Sequence, residues 1–116
     1  MLIVDDNVSL AENIAEILGG EGYATEIATS AEEALTRARA GEFNVLVTDF
    51  RLPGISGIEL IRSLRNEGRH PRAVVISAYG DDLTVGAAMD VGAEFLGKPV
   101  DLSTLNGFLR GIQGLA

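Results

Sequence analysis

Three aspartates and the single lysine of this 116-residue sequence each follow a short apolar segment. Asp5 and Asp6 come directly after LIV, Asp49 ends the segment VLVTD, and Lys98 comes directly after EFLG. A carboxylate can attack phosphorus as a nucleophile, and Mg²⁺ commonly binds through one or two carboxylates together with a phosphate oxygen. If the fold brings these residues together, their types favour the transfer of a phosphoryl group to a carboxylate.

Each of these residues has an ordinary structural explanation when it is taken alone. Asp5 or Asp6 could form a turn or cap a helix, and Asp49 could cap the turn before the Pro-Gly pair that follows it. Ser77 could be a simple hydroxyl at a strand end, and one lysine among many arginines is compatible with chance. Their joint occurrence at the ends of predicted strands is what favours a functional site.

Electrostatics argues that such a cluster needs compensation. Two carboxylates about 4 Å apart repel each other by about 4 kcal/mol at an effective dielectric constant of about 20. Without an opposing charge, this repulsion is expected to raise the pKa of at least one carboxyl group. Lys98 supplies one positive charge, and a bound Mg²⁺ would supply two more.

Five short apolar segments predict the strands that would hold these residues. They are Leu2–Val4, Ala24–Ala28, Val45–Val47, Ala73–Ile76 and Glu94–Gly97, and the second is the most polar, which predicts an edge strand. Amphipathic segments alternate with them, a pattern typical of parallel strands joined by helical crossovers. The sequence therefore predicts one α/β domain over residues 1–116, a doubly wound parallel sheet with both faces covered. Ligands of such sheets bind beyond the carboxyl ends of the strands.

Apolar stripes and capping patterns predict the helices. The stripes are Leu10, Ile14, Ile17 and Leu18; Ile58, Leu60, Ile61 and Leu64; and Leu102, Leu105, Phe108, Leu109 and Ile112. Capping boxes are predicted at Ser9 with Glu12, Ser30 with Glu33 and Ser56 with Glu59, and helix ends at Gly19-Gly20 and Gly41. The fourth helix, near Leu83 to Val91, contains Gly86 and small residues, so we expect it to pack weakly and to be mobile.

Composition excludes several functional classes. A formal net charge of −8 argues against direct binding of nucleic acid, which depends on neutralising phosphates. The apolar segments are too short to cross a membrane. The absence of cysteine fits a reducing compartment, so we expect a cytoplasmic protein. The only histidine, His70, precedes a proline in a predicted loop and is expected to lie at the surface.

Four motifs, in order and at these intervals, resemble the receiver domain of two-component response regulators. They are LIVDDN at residues 2–7, VTDFRLPGISG at 47–57, VVISAYG at 74–80 and EFLGKPV at 94–100, and the resemblance covers essentially the whole chain. It implies a flavodoxin-like sheet of five parallel strands in the order 2-1-3-4-5, flanked by five helices. It also implies a switch module in a phosphorelay rather than an enzyme with independent turnover.

The resemblance assigns a role to each candidate site residue. Asp49 would be the phosphoacceptor, attacking the phosphorus of a phosphohistidine on a histidine kinase or a histidine phosphotransfer protein. Lys98 would pair with Asp49 before transfer and with the phosphoryl group afterwards, and Ser77 would donate a hydrogen bond to that group. For Mg²⁺, Asp6 would be the main carboxylate ligand and Asp5 would hold a coordinated water. Asp49 and the backbone carbonyl of Arg51 would complete the protein ligands.

The resemblance further implies a conformational switch. Ser77 would move toward the phosphoryl group, and Phe95 would fill the space that it leaves. The face formed by the fourth helix, fifth strand and fifth helix would then change and bind a downstream protein or an attached effector domain, and phosphorylation could also favour a homodimer. The tight ends of the sequence favour a segment of a longer regulator over a stand-alone receiver.

Two other functional classes remain as alternatives. The first is a small phosphatase of related topology with an aspartyl-phosphate intermediate; such enzymes need a second aspartate two residues after the nucleophile, where this sequence has Arg51. The second is a nucleotide or flavin binder, which would need a glycine-rich loop after the first strand, where this sequence reads DDNVS.

Overall fold

The computed structural model of the chain describes residues 1–41, 43–78, 82–98, 103–107 and 109. Five parallel strands form one sheet in the order β2-β1-β3-β4-β5. The strands are β1 (Leu2–Val4), β2 (Glu26–Ala28), β3 (Val45–Asp49), β4 (Arg72–Ser77) and β5 (Ala93–Gly97). The helices between them are α1 (Val8–Gly20), α2 (Ala31–Ala40), α3 (Gly57–Asn66) and α4 (Asp82–Asp90), and residues 103–107 and 109 are also helical.

The predicted fold is confirmed, including the edge position of β2. Each predicted strand is present, although β2 is shorter than expected and β3 runs two residues further, so that Asp49 is its last residue. Side chains alternate across the sheet with the period of two that strands impose. Leu2 and Val4 of β1 belong to one apolar cluster, and Ile3 belongs to the other.

The two clusters bury opposite faces of the sheet. One lies between the sheet and helices α2, α3 and α4; its largest fully buried side chains include Leu46, Leu60, Ile61 and Leu64. The other lies beneath α1 and the helical residues 103–107 and 109, with Ile3, Leu18, Leu105 and Leu109 at its centre. A sheet covered on both faces leaves its strand ends as the places where polar side chains can gather.

Two of the three predicted caps are confirmed. The hydroxyls of Ser30 and Ser56 accept hydrogen bonds from the backbone N–H groups of Glu33 and Glu59, each at 3.1 Å. The prediction for α1 is wrong, because its N-cap is Asn7 and not Ser9. The side-chain oxygen of Asn7 accepts from the N–H of Leu10 at 3.2 Å, so α1 begins two residues earlier than the Ser-x-x-Glu pattern indicated.

Two details of α1 also differ from expectation. Ile17, which was placed in the apolar stripe, is 43% exposed, because the buried face runs through Ile14 and Leu18 toward Ala11 instead. The two glycines predicted to end the helix are its last residues, and the chain turns at Gly22, whose φ of +98° is the left-handed conformation that favours glycine.

Helix α4 packs weakly, as its composition predicted. Leu83 and Met89 are 86% and 70% exposed, and only Thr84 and Ala88 of its described side chains are buried. Of the last predicted stripe, Leu105 and Leu109 are buried, whereas Leu102, Phe108 and Ile112 lie outside the described residues. Within the described part of the chain, no helix has the length and apolar character needed to cross a bilayer.

Candidate functional site

The fold brings Asp5, Asp6 and Asp49 together at the carboxyl edge of the sheet. Strands β1 and β3 are neighbours, and Val4 pairs with Thr48, so Asp5 and Asp49 follow adjacent positions. Each of the three carboxylates offers one oxygen, and these oxygens all lie within 4.8 Å of one another. Asp5 and Asp49 are buried, whereas Asp6 is exposed. The predicted convergence of the three aspartates is therefore confirmed.

Backbone hydrogen bonds fix Asp5 in this cluster. Its N–H donates to the carbonyl of Ala28 at 3.1 Å, and its Oδ1 accepts from the N–H of Asn7 at 2.9 Å. Asn7 therefore has two functions, since it caps α1 with its side chain and orients Asp5 with its backbone. The sequence analysis did not predict this second role, because it placed the cap of the first helix at Ser9.

The pKa of Asp5 is raised above its ordinary value. Burial is the largest cause, and the neighbouring charges of Asp49 and Asp6 add to it, while the N–H of Asn7 and the ammonium of Lys98 oppose it. The expectation that one pKa in the cluster would rise has the right direction. Its cause was misjudged, because loss of water around the carboxylate outweighs repulsion between the carboxylates.

Lys98 follows β5, so it reaches Asp49 from the side of the strand order opposite to β1. Its N–H donates to the carbonyl of Ser77 at 2.8 Å, which attaches the end of β5 to the end of β4. Its Nζ lies 3.1 Å from Oδ1 of Asp49, and the side chains of Lys98 and Asp49 are 30% and 9% exposed. The ammonium thus pairs with the buried carboxylate at the mouth of the site, as the family resemblance implied.

Ser77 and Phe95 lie on neighbouring strands and on one face of the sheet. Ser77 is the last residue of β4 and is buried, and the residue two positions before it, Val75, pairs with Phe95 of β5. Because alternate residues share a face, Ser77, Val75 and Phe95 point to the same side. Phe95 is half-buried against the apolar cluster beneath α2, α3 and α4.

Arg51 lies in the loop that joins β3 to α3. The residue is exposed, and it forms an isolated antiparallel bridge with Ser56, which closes the loop on itself. Gly54 makes the turn inside this loop with a φ of +91°, which a residue with a side chain rarely adopts. The loop is therefore short and closed directly beside Asp49, and the ligand role of the Arg51 carbonyl stays a prediction.

Gly57 is a site residue that the sequence analysis missed. Its N–H donates to the carbonyl of Phe50 at 2.7 Å, and a Cβ at this position would overlap the carbonyl oxygen of Asp49 and lie 2.9 Å from Oγ1 of Thr48. The first residue of α3 is thus in contact with the backbone that carries Asp49. The only signal in the sequence was the glycine at the end of VTDFRLPGISG, which sequence alone does not distinguish from a flexible turn.

The site fits a hard divalent cation. Its donors are carboxylate oxygens close enough to share one ion, and such donors suit Mg²⁺ and Ca²⁺ rather than softer metals. Among the described residues here, three carboxylates face one ammonium group, so the site carries an excess of negative charge. Asp5, Asp6 and Asp49 are the residues that could hold the ion.

Comparison with known proteins gives consistent matches. A family model described as the response regulator receiver domain matches residues 1–110. A response regulator receiver protein from Anaeromyxobacter sp. is 44% identical over 100 residues, which cover 85% of this chain and 42% of that protein. The transcriptional regulatory protein FixJ of Azorhizobium caulinodans is 34% identical over 113 residues, which cover 97% of this chain and 54% of that protein.

A solved structure matches the whole architecture. It is a response regulator protein from Burkholderia pseudomallei that contains a phosphorylated aspartic acid, a calcium ion and citrate. The TM-score is 0.83 at 29% identity, and the match covers 98% of this chain and 72% of that one. The present chain spans only about half the length of the curated relatives that it matches, at 42% and 54% for the two named above.

Proposed function

Because the chain belongs to the response regulator receiver domain family, we propose that Asp49 accepts a phosphoryl group in a two-component system. The observation that carries this proposal is the position of Asp49, buried among two further aspartates and 3.1 Å from the ammonium of Lys98. The phosphorylated aspartic acid in the similar protein from Burkholderia pseudomallei supports the same chemistry.

The proposed reaction is a transfer from a phosphohistidine on a histidine kinase or histidine phosphotransfer protein. A carboxylate oxygen of Asp49 forms a bond to phosphorus, the bond from phosphorus to the histidine nitrogen breaks, and that nitrogen keeps the electron pair and takes a proton. When bound by Asp6 and Asp49, with Asp5 holding a coordinated water, Mg²⁺ would neutralise phosphoryl oxygens and orient them. Positioning and charge neutralisation supply most of the acceleration, because phosphoryl transfer needs little other help from the protein.

Two residues stabilise the product in this proposal. Lys98 keeps its ammonium at the mouth of the site and pairs with the phosphoryl group after transfer, since it already contacts the accepting carboxylate. The hydroxyl of Ser77 donates a hydrogen bond to a phosphoryl oxygen; its place at the end of β4, bonded through its carbonyl to Lys98, supports this role. The carbonyl of Arg51 is proposed as a further protein ligand of the metal.

The proposed output is a change in the surface formed by α4 and β5. Ser77 and Phe95 share a face of the sheet, so a movement of Ser77 toward the phosphoryl group opens space on the side where Phe95 lies. Helix α4 is next to β5 and exposes Leu83 and Met89, which makes it an element that can shift at low cost. A downstream protein or an attached effector domain would bind this surface, and phosphorylation could favour a homodimer.

One of the relatives supports the proposed link to an output domain. FixJ is named as a transcriptional regulatory protein, and this chain matches about half of it, so an output domain elsewhere in a longer protein fits. We expect no direct nucleic-acid binding by this acidic domain and no turnover beyond its own phosphorylation and dephosphorylation. We expect the phosphoryl transfer to Asp49 to take place in the cytoplasm, because a reducing compartment fits a sequence that lacks cysteine.

Labelling with a small phosphodonor tests the acceptor. With Mg²⁺ and acetyl phosphate, the wild type should form one acid-stable, base-labile phosphoryl group, and Asp49→Asn should abolish it. Asp90→Asn is the matched control, because Asp90 is exposed at the end of α4, away from the site, and should label normally. Labelling of Asp49→Asn at the rate of the wild type would reject the proposal.

Two further variants test the metal and the switch. Asp6→Ala should remove most Mg²⁺ affinity in a calorimetric titration, and an unchanged affinity would contradict its ligand role.

Phe95→Ala should weaken the effect of phosphorylation on partner binding while labelling stays largely intact. Normal partner binding by this variant in both phosphorylation states would exclude the switch role of Phe95.

A further inference from the structure

The amino edge of the sheet contains a cavity of about 410 Å³. It lies between the ends of α2 and α3 and the segments that lead into β3 and β4, at the opposite end of the strands from Asp49. Ala38, Phe43, Leu64 and Pro71 supply apolar surface to its lining. Ala38 and Leu64 are buried side chains of the core, so the floor of the cavity is part of the rigid fold.

The same cavity is rimmed by Arg69, His70 and Arg72. His70 and Arg72 are exposed, and the side chain of Arg69 is 37% exposed. No carboxylate among the described residues forms an ion pair with Arg72 or His70. Arg69 has only a loose contact, with its Nε 3.8 Å from Oε1 of Glu67. Within the described part of this acidic protein, weakly compensated cationic groups thus surround an apolar depression.

The neighbouring arginines, Arg39 and Arg65, differ from those around the cavity because their charged groups are held by hydrogen bonds within the fold. Arg39 makes two hydrogen bonds to the carboxylate of Glu67, at 3.0 and 2.6 Å. Arg65 donates to the carbonyls of Val91 and Pro71 at 3.1 and 3.0 Å. Glu67 is therefore already engaged by Arg39, which explains why its contact with Arg69 is long.

Neutralisation of helix dipoles does not account for the rim. Cations near a helix C-terminus are stabilising within its last turn, and Arg37, Arg39 and Arg65 occupy that position in α2 and α3. Gly68 turns the chain out of α3 with a φ of +79°. His70 and Arg72 come after this turn, the latter as the first residue of β4, so they do not serve the helix end.

We propose that this cavity binds a small organic anion, a carboxylate or a phosphate ester with a compact apolar body. The cavity is half open to solvent, its volume lies in the range of about 300–1,000 Å³ that is typical of small-molecule sites, and it combines apolar walls with a few polar groups. Arginine is suited to the charged end, because its guanidinium offers paired donors to carboxylate or phosphate oxygens. The site lies away from Asp49, and the proposal is independent of phosphoryl transfer.

The test uses benzoate as the probe and amide resonances of the ¹⁵N-labelled chain as the readout, without Mg²⁺. Benzoate should cause saturable shifts at residues 38–41, 43, 44 and 68–72. Benzyl alcohol lacks the charge, so it should bind at least about tenfold more weakly, the factor expected for losing a charged hydrogen bond. Acetate lacks the apolar body, so it should also bind more weakly than benzoate. Phenyl phosphate in a parallel titration distinguishes a preference for carboxylate from one for phosphate.

Three variants locate the site. Arg72→Gln and Arg69→Gln should each weaken benzoate binding by about tenfold. Arg62→Gln is the matched control, because Arg62 is an exposed arginine of α3 that does not line the cavity, and its affinity should equal that of the wild type. Absence of saturable shifts with both benzoate and phenyl phosphate would overturn the proposal. Equal loss in Arg62→Gln, or shifts confined to the carboxyl edge, would also overturn it.

Discussion

The carboxyl edge of the sheet collects negative charge, whereas the amino edge collects positive charge. At the carboxyl edge, Asp5 and Asp49 are buried beside Asp6, and burial raises the pKa of Asp5. At the amino edge, Arg39 is paired with Glu67, and Arg65 donates to two backbone carbonyls. The first edge keeps an electrostatic cost that a bound cation can relieve. At the second edge, Arg39 and Arg65 are satisfied within the fold, whereas among the described residues Arg69, His70 and Arg72 around the cavity are not.

The aspartates of the carboxyl edge and the paired arginines of the amino edge therefore differ in what they do for the protein. A buried charge without full compensation costs free energy, and such groups cluster where a ligand or a reaction supplies the missing charge. Charges that are paired with carboxylates or backbone carbonyls instead hold elements together. Substitutions at the two edges should therefore affect stability in different ways.

Gly57→Ala should have the largest effect. The added Cβ would overlap the carbonyl of Asp49, so α3 or the end of β3 must shift, at a cost of about 1–3 kcal/mol in the free energy of unfolding. The shift should also slow labelling of Asp49 by acetyl phosphate. Gly86→Ala is the matched control, because nothing lies within 4 Å of a Cβ there and alanine favours a helix, so stability should rise by about 0.5–1 kcal/mol. Urea unfolding of both variants checks this, and equal stability changes would contradict the contact.

Arg65→Met should destabilise the amino edge by about 1–3 kcal/mol. The substitution keeps an unbranched apolar stem but removes the donors to the part-buried carbonyls of Val91 and Pro71. Labelling of Asp49 should be unaffected at temperatures where the variant is folded. Arg62→Met, at an exposed position on the same helix, serves as the control and should change stability little. A slower labelling rate in Arg65→Met would show that the two edges are coupled.

Asp5→Asn should stabilise the protein without Mg²⁺ by a smaller amount. An acid whose pKa is raised on folding binds more protons in the folded state, so the stability of the wild type falls as the pH rises through that pKa. Asparagine removes the buried charge but can still accept from the N–H of Asn7. Thermal unfolding in EDTA at neutral pH should show a higher Tm for the variant. Added Mg²⁺ should stabilise the wild type more and narrow the difference, and a lower Tm in EDTA would argue against the assigned cost.

Glu67→Gln should have the smallest effect. The hydrogen bonds from Arg39 lower the pKa of Glu67, so the folded state binds fewer protons than the unfolded state in that range. The stabilisation is therefore present at neutral pH and is lost as the pH falls through the lowered pKa. The pair is exposed, so the loss in Glu67→Gln should be small and should shrink further in high salt. Urea unfolding of the wild type and of Glu67→Gln, at neutral and at low pH and with and without salt, measures this difference in stability.

Most of the fold and the composition of the site were predictable from the sequence. Short apolar segments identified every strand, because a sheet covered on both faces buries them. Apolar stripes predicted α1 and α3, the cap at Ser30 with Gly41 predicted α2, and the fourth helix was placed near Leu83 to Val91. The strand order came from the family resemblance rather than from periodicity. The prediction of Ser9 as a cap failed because Asn7 offered an equally good acceptor two residues earlier, and local patterns do not decide between two capable residues.

The sequence by itself determined which chemistry was available, since residue types and their places after apolar segments do not depend on how the strands pair. Only the tertiary structure decided which groups meet, because the adjacency of β1 and β3 and the pairing of Lys98 with Asp49 join residues 44 and 49 positions apart. The tertiary structure also decided that burial, more than repulsion between carboxylates, raises the pKa of Asp5, and that position 57 has no room for a side chain. Both depend on the distance between atoms of separate segments, which chain order does not fix.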